Sequence, residues 1–572
     1  MKFFNRRVMG TPMSYDVVIV GGGINGCALA RELSLRNFSV CLIEKGDFSS
    51  GTSSASSKLA HGGLRYLEQY QFSLVRESIK ERSNLLENAA HLVKPLPFLF
   101  PVYQNQISSI KLRAGLFLYD CLSFGRGIKR FRWLGKNERA LKNLKSIGLK
   151  GAARYYDAQM QDSRIVLENV LDANKHGADC FNYCEVMSFK KIGNKIQSCQ
   201  VLDLLTHSES IISGKLFFLT VGPWTDKVIS RIPGETHSPL LKPSRGIHII
   251  LKKKIVEEAV VIPNLQDGRL IFVIPWEGKT LVGTTDFPIG GDIDADKASS
   301  SEICYLLQQL TSIFEGLDLT CASISGIMSG IRPLVDQKEK DLQSVSREHR
   351  FIQIKENLIS LVGGKFTTYR KIAEEAAHAV HLKFGLKESF ESLTNNCPIY
   401  VRDSERSKRD AGYLAKDSEG KIPGNDSMLD DSFIIGDKRN ETYLRDLSKE
   451  QKQLSETYGK SVGGIIEIMD RDRSSTLLIS GTTVYRAEII YAIQNEFCLK
   501  IMDFIRRRTT LYFDLFENER ILHEVADIFQ QQLNWSDEYK RRDIMEVVSQ
   551  LHGEREIINK GVEQFIRDGN NE

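Results

Sequence analysis

The tightest constraint on this chain lies near its start. Tyr15 to Val20 is a short apolar run rich in β-branched residues that stops at Gly21-Gly22-Gly23, as a strand buried on both faces does. Apolar residues then recur at Ile24, Ala28, Leu29 and Leu33, which puts one apolar stripe on a helix, and Arg36-Asn37 closes it before a second strand, Ser39 to Ile43. This is a βαβ unit. Gly21-x-Gly23-x-x-Gly26 follows the strand and opens the helix, the context in which glycines permit a tight turn, close helix–sheet packing and approach of a pyrophosphate to the helix N-terminus. Glu44 ends the second strand, where a carboxylate accepts hydrogen bonds from both ribose hydroxyls and repels a 2′-phosphate. The expectation is a bound dinucleotide, with nicotinamide and flavin not yet separated.

Further strands are expected at Lys215 to Thr220, Gly246 to Leu251, Leu270 to Ile274, Thr280 to Gly283 and Leu358 to Val362, with helices at Ile165 to His176 and Tyr369 to Val380. The mixture reads as α/β with an additional antiparallel-rich part. Beyond about residue 386 the character changes. Asp403 to Asn440, rich in charge, Ser, Asp and Gly, reads as a surface loop or linker, and helix-period stretches follow around Ser461 to Asp470, Arg486 to Arg507, Ile521 to Leu533 and Asp543 to Leu551. At 572 residues, two or more units are the default. We expect a region 14–385, in which a second domain is interleaved at roughly 62–150 and 236–330, followed by a linker and helical domain over 386–572.

Composition excludes several classes. With 77 basic and 73 acidic residues the net charge is only +4, so no global attraction to nucleic acid is expected. The ten cysteines show no CxxC pair and no zinc spacing, which points to reduced thiols in a cytosolic compartment and to no metal; Cys180 and Cys184 read as packed small apolar residues. Met1 to Met13 carries Lys2, Arg6 and Arg7 without a signal-peptide core, the natural start is left open within it, and no run approaches a membrane span. Any membrane contact is expected to be peripheral.

Thr52-Ser53-Ser54-Ala55-Ser56-Ser57-Lys58 is a hydroxyl-rich stretch unlike the third strand of a nicotinamide enzyme; its small donors suit a pyrophosphate and a flavin ring. Read on through Leu59-x-His61-Gly62-Gly63-Leu64-Arg65-Tyr66-Leu67-Glu68, it resembles the signature of the FAD-dependent glycerol-3-phosphate dehydrogenases, in the glutathione-reductase-like, D-amino-acid-oxidase-type flavoprotein superfamily. The resemblance continues, in order and approximate spacing, through Thr220-Val221-Gly222-Pro223-Trp224, Gly246-Ile247-His248, Phe272 to Trp276, Gly283-Thr284-Thr285-Asp286, Ser329 to Leu334 and Gly363-Gly364-Lys365-Phe366-Thr367-Thr368-Tyr369-Arg370. In the tail, Ala487 to Ala492, Glu496 and Asp503 to Thr509 are similar to the family's helical C-terminal domain, whereas Asn395 to Gly459 departs from it. No EF-hand loop is present, so calcium control is not implied.

The resemblance implies an α/β fold: a glutathione-reductase-like FAD-binding Rossmann domain, an interleaved antiparallel-sheet substrate domain and a helical C-terminal domain. It implies noncovalent FAD held by Gly21, Gly23, Gly26, Glu44, Thr52, Ser53, Ser57, Gly222, Gly364 and Thr367, with His61 not used for a covalent link. It implies oxidation of sn-glycerol 3-phosphate to dihydroxyacetone phosphate by hydride transfer to flavin N5, with electrons passed to a membrane quinone. A phosphate near its dianionic form calls for fixed cations, since two charges in contact interact by roughly 4 kcal/mol at an effective dielectric near 20. Arg65, Arg332 and Lys365 are the candidates, with Tyr66 completing the substrate's hydrogen bonds. His248, with the near-neutral pKa ordinary for histidine, is the first choice to take the hydroxyl proton, and Arg332 or Lys365 to polarise the alcohol.

Gly363-Gly364-Lys365, ahead of a helix, offers N–H groups and positive charge to the flavin's pyrimidine side. Arg126, Lys129, Arg130, Arg132 and Lys136 around Phe124, Phe131 and Trp133 suit anionic headgroups on the inner face of a cytoplasmic membrane, with a solvated basic surface as the alternative; Arg506 to Arg508 raises the same question. The competing activities are an oxidase that gives its electrons to oxygen, an amine or amino-acid oxidase, and a noncatalytic FAD-bound scaffold. Oligomeric state stays open, a homodimer included.

Overall fold

The computed structural model describes residues 13–68, 70–104, 108–123, 128–263, 269–335, 349–386, 390–399 and 449–569. The expected βαβ unit forms from Met13–Val20, the helix Ile24–Ser34 and Val40–Ile43. It sits in a sheet ordered His349–Lys355, Leu358–Gly363, Glu209–Leu219, Met13–Val20, Val40–Ile43, Asp179–Phe181. All but the first of these strands run parallel. His349–Lys355 closes one edge as a hairpin, and Cys184–Ile192 and Lys195–Asp203 meander back antiparallel onto Glu209–Leu219.

Strand alternation explains why the run Val17 to Val20 is apolar throughout. Val17 and Ile19 face the helices Ile24–Ser34, Asp162–Lys175 and Tyr369–Lys383, while Val18 and Val20 face the meander side with Phe189 and Val201. Cys180 and Cys184 are buried free thiols, one in each of these two cores.

The second sheet is mainly antiparallel, in the order Phe287–Pro288, Ser244–Leu251, Lys279–Gly283, Leu270–Trp276, Ala259–Pro263, Val93–Tyr103, Leu149–Met160, Leu59–Ala60, with Ile324–Arg332 paired to Ser244–Leu251 and Arg132–Gly135 to Leu149–Met160. Val93–Tyr103 carries Pro95, Pro97 and Pro101, which usually mark a strand as peripheral. It holds a central place because its pairing to Ala259–Pro263 uses only Phe98 and Leu99, so the prolines fall outside that short ladder. One face packs on the helix Ser300–Ile313, and the other shares a core with the C-terminal region, where Phe98, Ile250 and Trp276 meet Ile489, Phe504 and Phe529. Each such side chain contributes about 1.5–3 kcal/mol by burial.

The tail differs from expectation in two ways. The stretch Arg486 to Arg507 is not one helix: Arg486–Asn495 stops, Phe497 takes φ +54°, and the chain restarts at Ile501 and passes into a π turn, Phe504–Arg508. Asp503 fixes the restart by accepting the N–H groups of Leu499 and Lys500, both at 2.9 Å. The helix expected over Asp543 to Leu551 is one part of a 33-residue helix, Asp537–Gly569, laid along Ser300–Ile313, with Gly561 so close to Ile303 that a Cβ there would lie 2.7 Å from it.

Nor are Arg506 to Arg508 a lipid-facing patch. Arg507 and Arg508 are buried against Asp47, and Arg506 pairs with Glu554 at 3.1 Å. Charges already desolvated and paired inside the protein offer nothing to a headgroup. The expected linker Asp403 to Asn440 lies outside the described residues.

Candidate active site

A cavity of about 530 Å³ opens where the parallel strands Met13–Val20, Val40–Ile43 and Glu209–Leu219 end, the place where an open α/β sheet receives a ligand. Gly21 and Gly23 line it. At Gly21, φ is +110°, and at Gly26 a Cβ would stand 1.9 Å from the Gly21 carbonyl oxygen; Gly26 therefore acts behind the cavity wall by letting helix and turn close up. Glu44 lines the cavity with its carboxylate held bidentately, Oε2 by the Gly22 N–H at 2.6 Å and Oε1 by the Gly46 N–H at 2.8 Å. Burial nonetheless raises its pKa above the ordinary value. Asn25, also on the wall, has a buried Oδ1 with no hydrogen-bond partner among the described residues.

The serine-rich stretch is a pinned structure rather than a loose loop. Thr52–Ser54 forms a 3-10 turn, the Thr52 hydroxyl donates to the Ile331 carbonyl at 2.7 Å, and Ser53 Oγ accepts the Ile24 N–H at 3.0 Å. Ser56 Oγ donates to Asp162 at 2.7 Å, and Lys58 Nζ donates to Asp162 at 2.6 Å and to the Ser54 carbonyl at 2.7 Å. Thr52, Ser53 and Ser57 all line the cavity, as do Gly222 and Gly364, with φ +55° and +95°. Thr367 does not line it; its Oγ1 accepts the His61 N–H at 3.3 Å.

His248, Arg332 and Lys365 meet on the same cavity. His248, 2% exposed, fits because Gly283 faces it: a Cβ there would come 2.4 Å from the ring. Its Nε2 is 2.9 Å from Ser57 Oγ, and its buried Nδ1 has no hydrogen-bond partner among the described residues. Burial, then the cations Arg332 and Lys58, push its pKa down to about 3, which corrects the expectation of a near-neutral histidine.

Arg332 is set by Thr284 Oγ1 and the Thr285 carbonyl, both at 2.9 Å, and by Asp286 at 3.1 Å; Gly246 leaves it room, since a Cβ there would be 2.3 Å from the guanidinium. Burial lowers its pKa, partly offset by Asp286. Lys365 Nζ lies 3.3 Å from the centroid of the Tyr66 ring, so Tyr66 stands behind a wall residue rather than on the wall. The Arg65 side chain lies outside the described residues.

Several groups went unread in the sequence. Asp162 is 104 positions from Lys58, and nothing local announces the pair. Asp294, in the segment after Phe287–Pro288, reaches the cavity rim, where it accepts from Trp224 Nε1 at 2.7 Å and pairs with Lys227 and with Lys45 at 3.5 Å. Burial alone would raise its pKa, but these partners pull it down to about 2. Behind Gly62, Asp157 Oδ1 accepts from the Gly62 N–H at 3.1 Å, from Tyr119 OH at 2.7 Å and from buried Arg82 at 2.5 Å, anchoring the turn that leads into Arg65 and Tyr66. No cluster of metal-ligating side chains occurs among the described residues.

This fold and cavity define a flavoprotein oxidoreductase: residues 16–370 match the family model for FAD dependent oxidoreductases, and residues 423–540 match that for the C-terminal domain of alpha-glycerophosphate oxidase. The chain is 33% identical over 525 residues to a glycerol-3-phosphate dehydrogenase of Synechocystis sp., covering 87% of this chain and 89% of that one. It is 30% identical over 552 residues to the aerobic glycerol-3-phosphate dehydrogenase of Bacillus subtilis, 95% of each chain. The protein belongs to the family of FAD-dependent, aerobic-type glycerol-3-phosphate dehydrogenases.

The solved glycerol-3-phosphate dehydrogenase from Bacillus halodurans, complexed with FAD, superposes with a TM-score of 0.72 at 25% identity over 95% of both chains. An L-alpha-glycerophosphate oxidase from Mycoplasma pneumoniae, with a TM-score of 0.52 and 18% identity, covering 67% of this chain and 98% of that one, shares the fold alone. The residues present fit FAD: a glycine turn that admits no side chain, a helix N-terminus for a pyrophosphate, a half-buried carboxylate for a ribose and the free Oδ1 of Asn25 on the wall.

Proposed function

We propose that the chain oxidises sn-glycerol 3-phosphate to dihydroxyacetone phosphate on noncovalent FAD and passes the electrons to a membrane quinone. The observation that carries the substrate is the meeting of Arg332, Lys365 and His248 on the cavity that holds the dinucleotide turn. When bound, FAD supplies the hydride acceptor. Arg332, oriented by Thr284 and Thr285, presents its fork to a phosphate or to the alcohol oxygen, Lys365 adds a second cation with the Tyr66 ring against it, and Arg65 is assigned to the same substrate from its motif. The carbinol carbon gives up a hydride and the hydroxyl a proton, leaving the ketone. Ser57 orients His248, which is neutral and so free to accept that proton at its ring. Burial first and the two cations second depress its basicity, and a substrate dianion beside it offsets the part due to the cations. Gly21, Gly23, Gly26, Glu44, Thr52, Ser53, Ser57, Gly222, Gly364 and Thr367 we assign to cofactor binding, Gly26 and Thr367 from behind the cavity wall and the others on it.

For the acceptor, the supporting feature is a surface that the sequence reading placed elsewhere. Phe131 and Trp133 of the basic segment are partly buried against the core, Arg113 covering the Trp133 ring at 4.1 Å, while Phe124 and Arg126 lie outside the described residues. The helix Ser109–Leu122 instead exposes Ile110 (79%), Phe117 (64%) and Leu118, with Lys111 and Arg113 alongside and the exposed Tyr70 and Phe72 elsewhere in the sequence. An apolar face with flanking cations suits a peripheral hold on anionic lipid. Among the described residues no helix is long and apolar enough to cross a membrane.

The test is turnover of sn-glycerol 3-phosphate with a quinone analogue, measured in parallel with peroxide release under air. Quinone-linked turnover is expected to dominate, and dominant peroxide would reassign the chain as an oxidase.

A further inference from the structure

The loop that follows Glu44 is held from two sides. On the cofactor side, the Ser49 N–H donates to the Gly22 carbonyl at 3.0 Å, and Gly22 is so close that a Cβ there would meet Phe48 at 2.6 Å and Glu44 at 2.7 Å. On the other side stands the C-terminal region. Asp47, fully buried, accepts from Arg507 Nε at 2.5 Å and from both terminal nitrogens of Arg508, Nη2 at 3.0 Å, and Phe48 meets Phe497 edge to face at 5.2 Å.

The two arginines are themselves fixed. Arg507 Nη2 donates to Asp503 at 2.6 Å, Arg508 Nη2 donates to the Glu496 carbonyl at 2.5 Å, and Asp503 also accepts from Tyr183 OH at 2.5 Å. No described residue of the C-terminal region lines the cavity, and the loop from Glu44 to Ser50 joins this region to the glycine turn that does.

We propose that Asp47 is a positioning residue for FAD: clamped by Arg507 and Arg508, it transmits the docking of the C-terminal helices to Gly22 and Glu44, so that cofactor affinity and docking of the tail are coupled. This rests on the family's FAD. The coupling is reciprocal by thermodynamic necessity. If the docked tail tightens the site, bound FAD must hold the tail down.

The full chain, stripped of FAD and then reloaded, is compared by hydrogen exchange. Amides of Glu496 to Thr509 are expected to exchange at least several-fold more slowly with FAD bound. FAD uptake with unchanged exchange there overturns the clamp and leaves the flavoprotein reading intact, whereas failure to take up FAD overturns both. Asp47→Asn keeps the shape and removes the charge, and Phe497→Leu keeps the charges and removes the ring contact. Both are expected to raise the FAD dissociation constant at least tenfold and to shrink the rise in melting temperature that FAD produces. A lower melting temperature with an undiminished FAD increment would mean simple structural support, and would refute the coupling.

Discussion

His248 carries the sharpest consequence at the scale of the residue. Its folded pKa, about 3, lies below the roughly 6.5 of an exposed histidine. The unfolded chain therefore binds the proton first, and the contribution to stability is complete above about pH 6.5 and is lost as pH falls toward 3. Between pH 7 and pH 5 this group alone is expected to cost about 2 kcal/mol of unfolding free energy. His248→Gln should flatten that part of the stability profile in denaturant titrations, and an unchanged slope would show that the ring is not held neutral. The same variant is expected to lower kcat by 10²- to 10⁴-fold, the usual range for a lost general base.

Arg332 depends on Asp286 for orientation, so Asp286→Asn should raise KM for the phosphate ester by about tenfold while FAD content stays full. The identities of His248 and Arg332 were legible because each sits in a recognisable motif. The depressed basicity was not, because Gly283, Arg332 and Lys58 enclose the ring from three separate parts of the chain.

At the scale of the element, the glycine turn is the least tolerant piece. Gly26→Ala puts a methyl group within 1.9 Å of the Gly21 carbonyl oxygen and is expected to abolish FAD uptake, scored by flavin absorbance in the purified protein. The helix Ser109–Leu122 serves two faces. Inward, Tyr119 anchors Gly62 through Asp157; outward, Ile110, Phe117 and Leu118 meet solvent. Phe117→Glu should leave soluble-acceptor turnover unchanged and weaken sedimentation with vesicles rich in anionic lipid by several-fold, whereas undiminished binding would place the lipid contact elsewhere.

The first βαβ unit and the strands around His248 were readable since each is a contiguous apolar run ended by turn residues. Val93–Tyr103 was not, because its prolines argue against a strand and only the short pairing with Ala259–Pro263 makes room for them. The break at Phe497 was hidden for a related reason: helical periodicity continues across Cys498 and Ile501, while the Asn182 side chain, from a distant part of the chain, donates to the Phe497 carbonyl at 2.8 Å.

For the whole molecule, the antiparallel sheet and the tail share one apolar core, the C-terminal helices covering one face of that sheet, while the parallel sheet keeps cores of its own on its two faces. That arrangement brings residues of Ser244–Leu251 and Ile324–Arg332 onto the same cavity as the dinucleotide turn of the parallel sheet. Sequence resemblance reached this organisation, but the ion cluster of Asp47, Arg507 and Arg508 joins residues some 460 positions apart and carries no local signal. The central claim is that a phosphorylated secondary alcohol reacts at the cavity which holds the flavin. Addition of sn-glycerol 3-phosphate to the FAD-loaded protein without oxygen should bleach the flavin absorbance within the turnover time and leave one equivalent of dihydroxyacetone phosphate per flavin. An absorbance unchanged by saturating ester, in protein that holds its full complement of FAD, would contradict it.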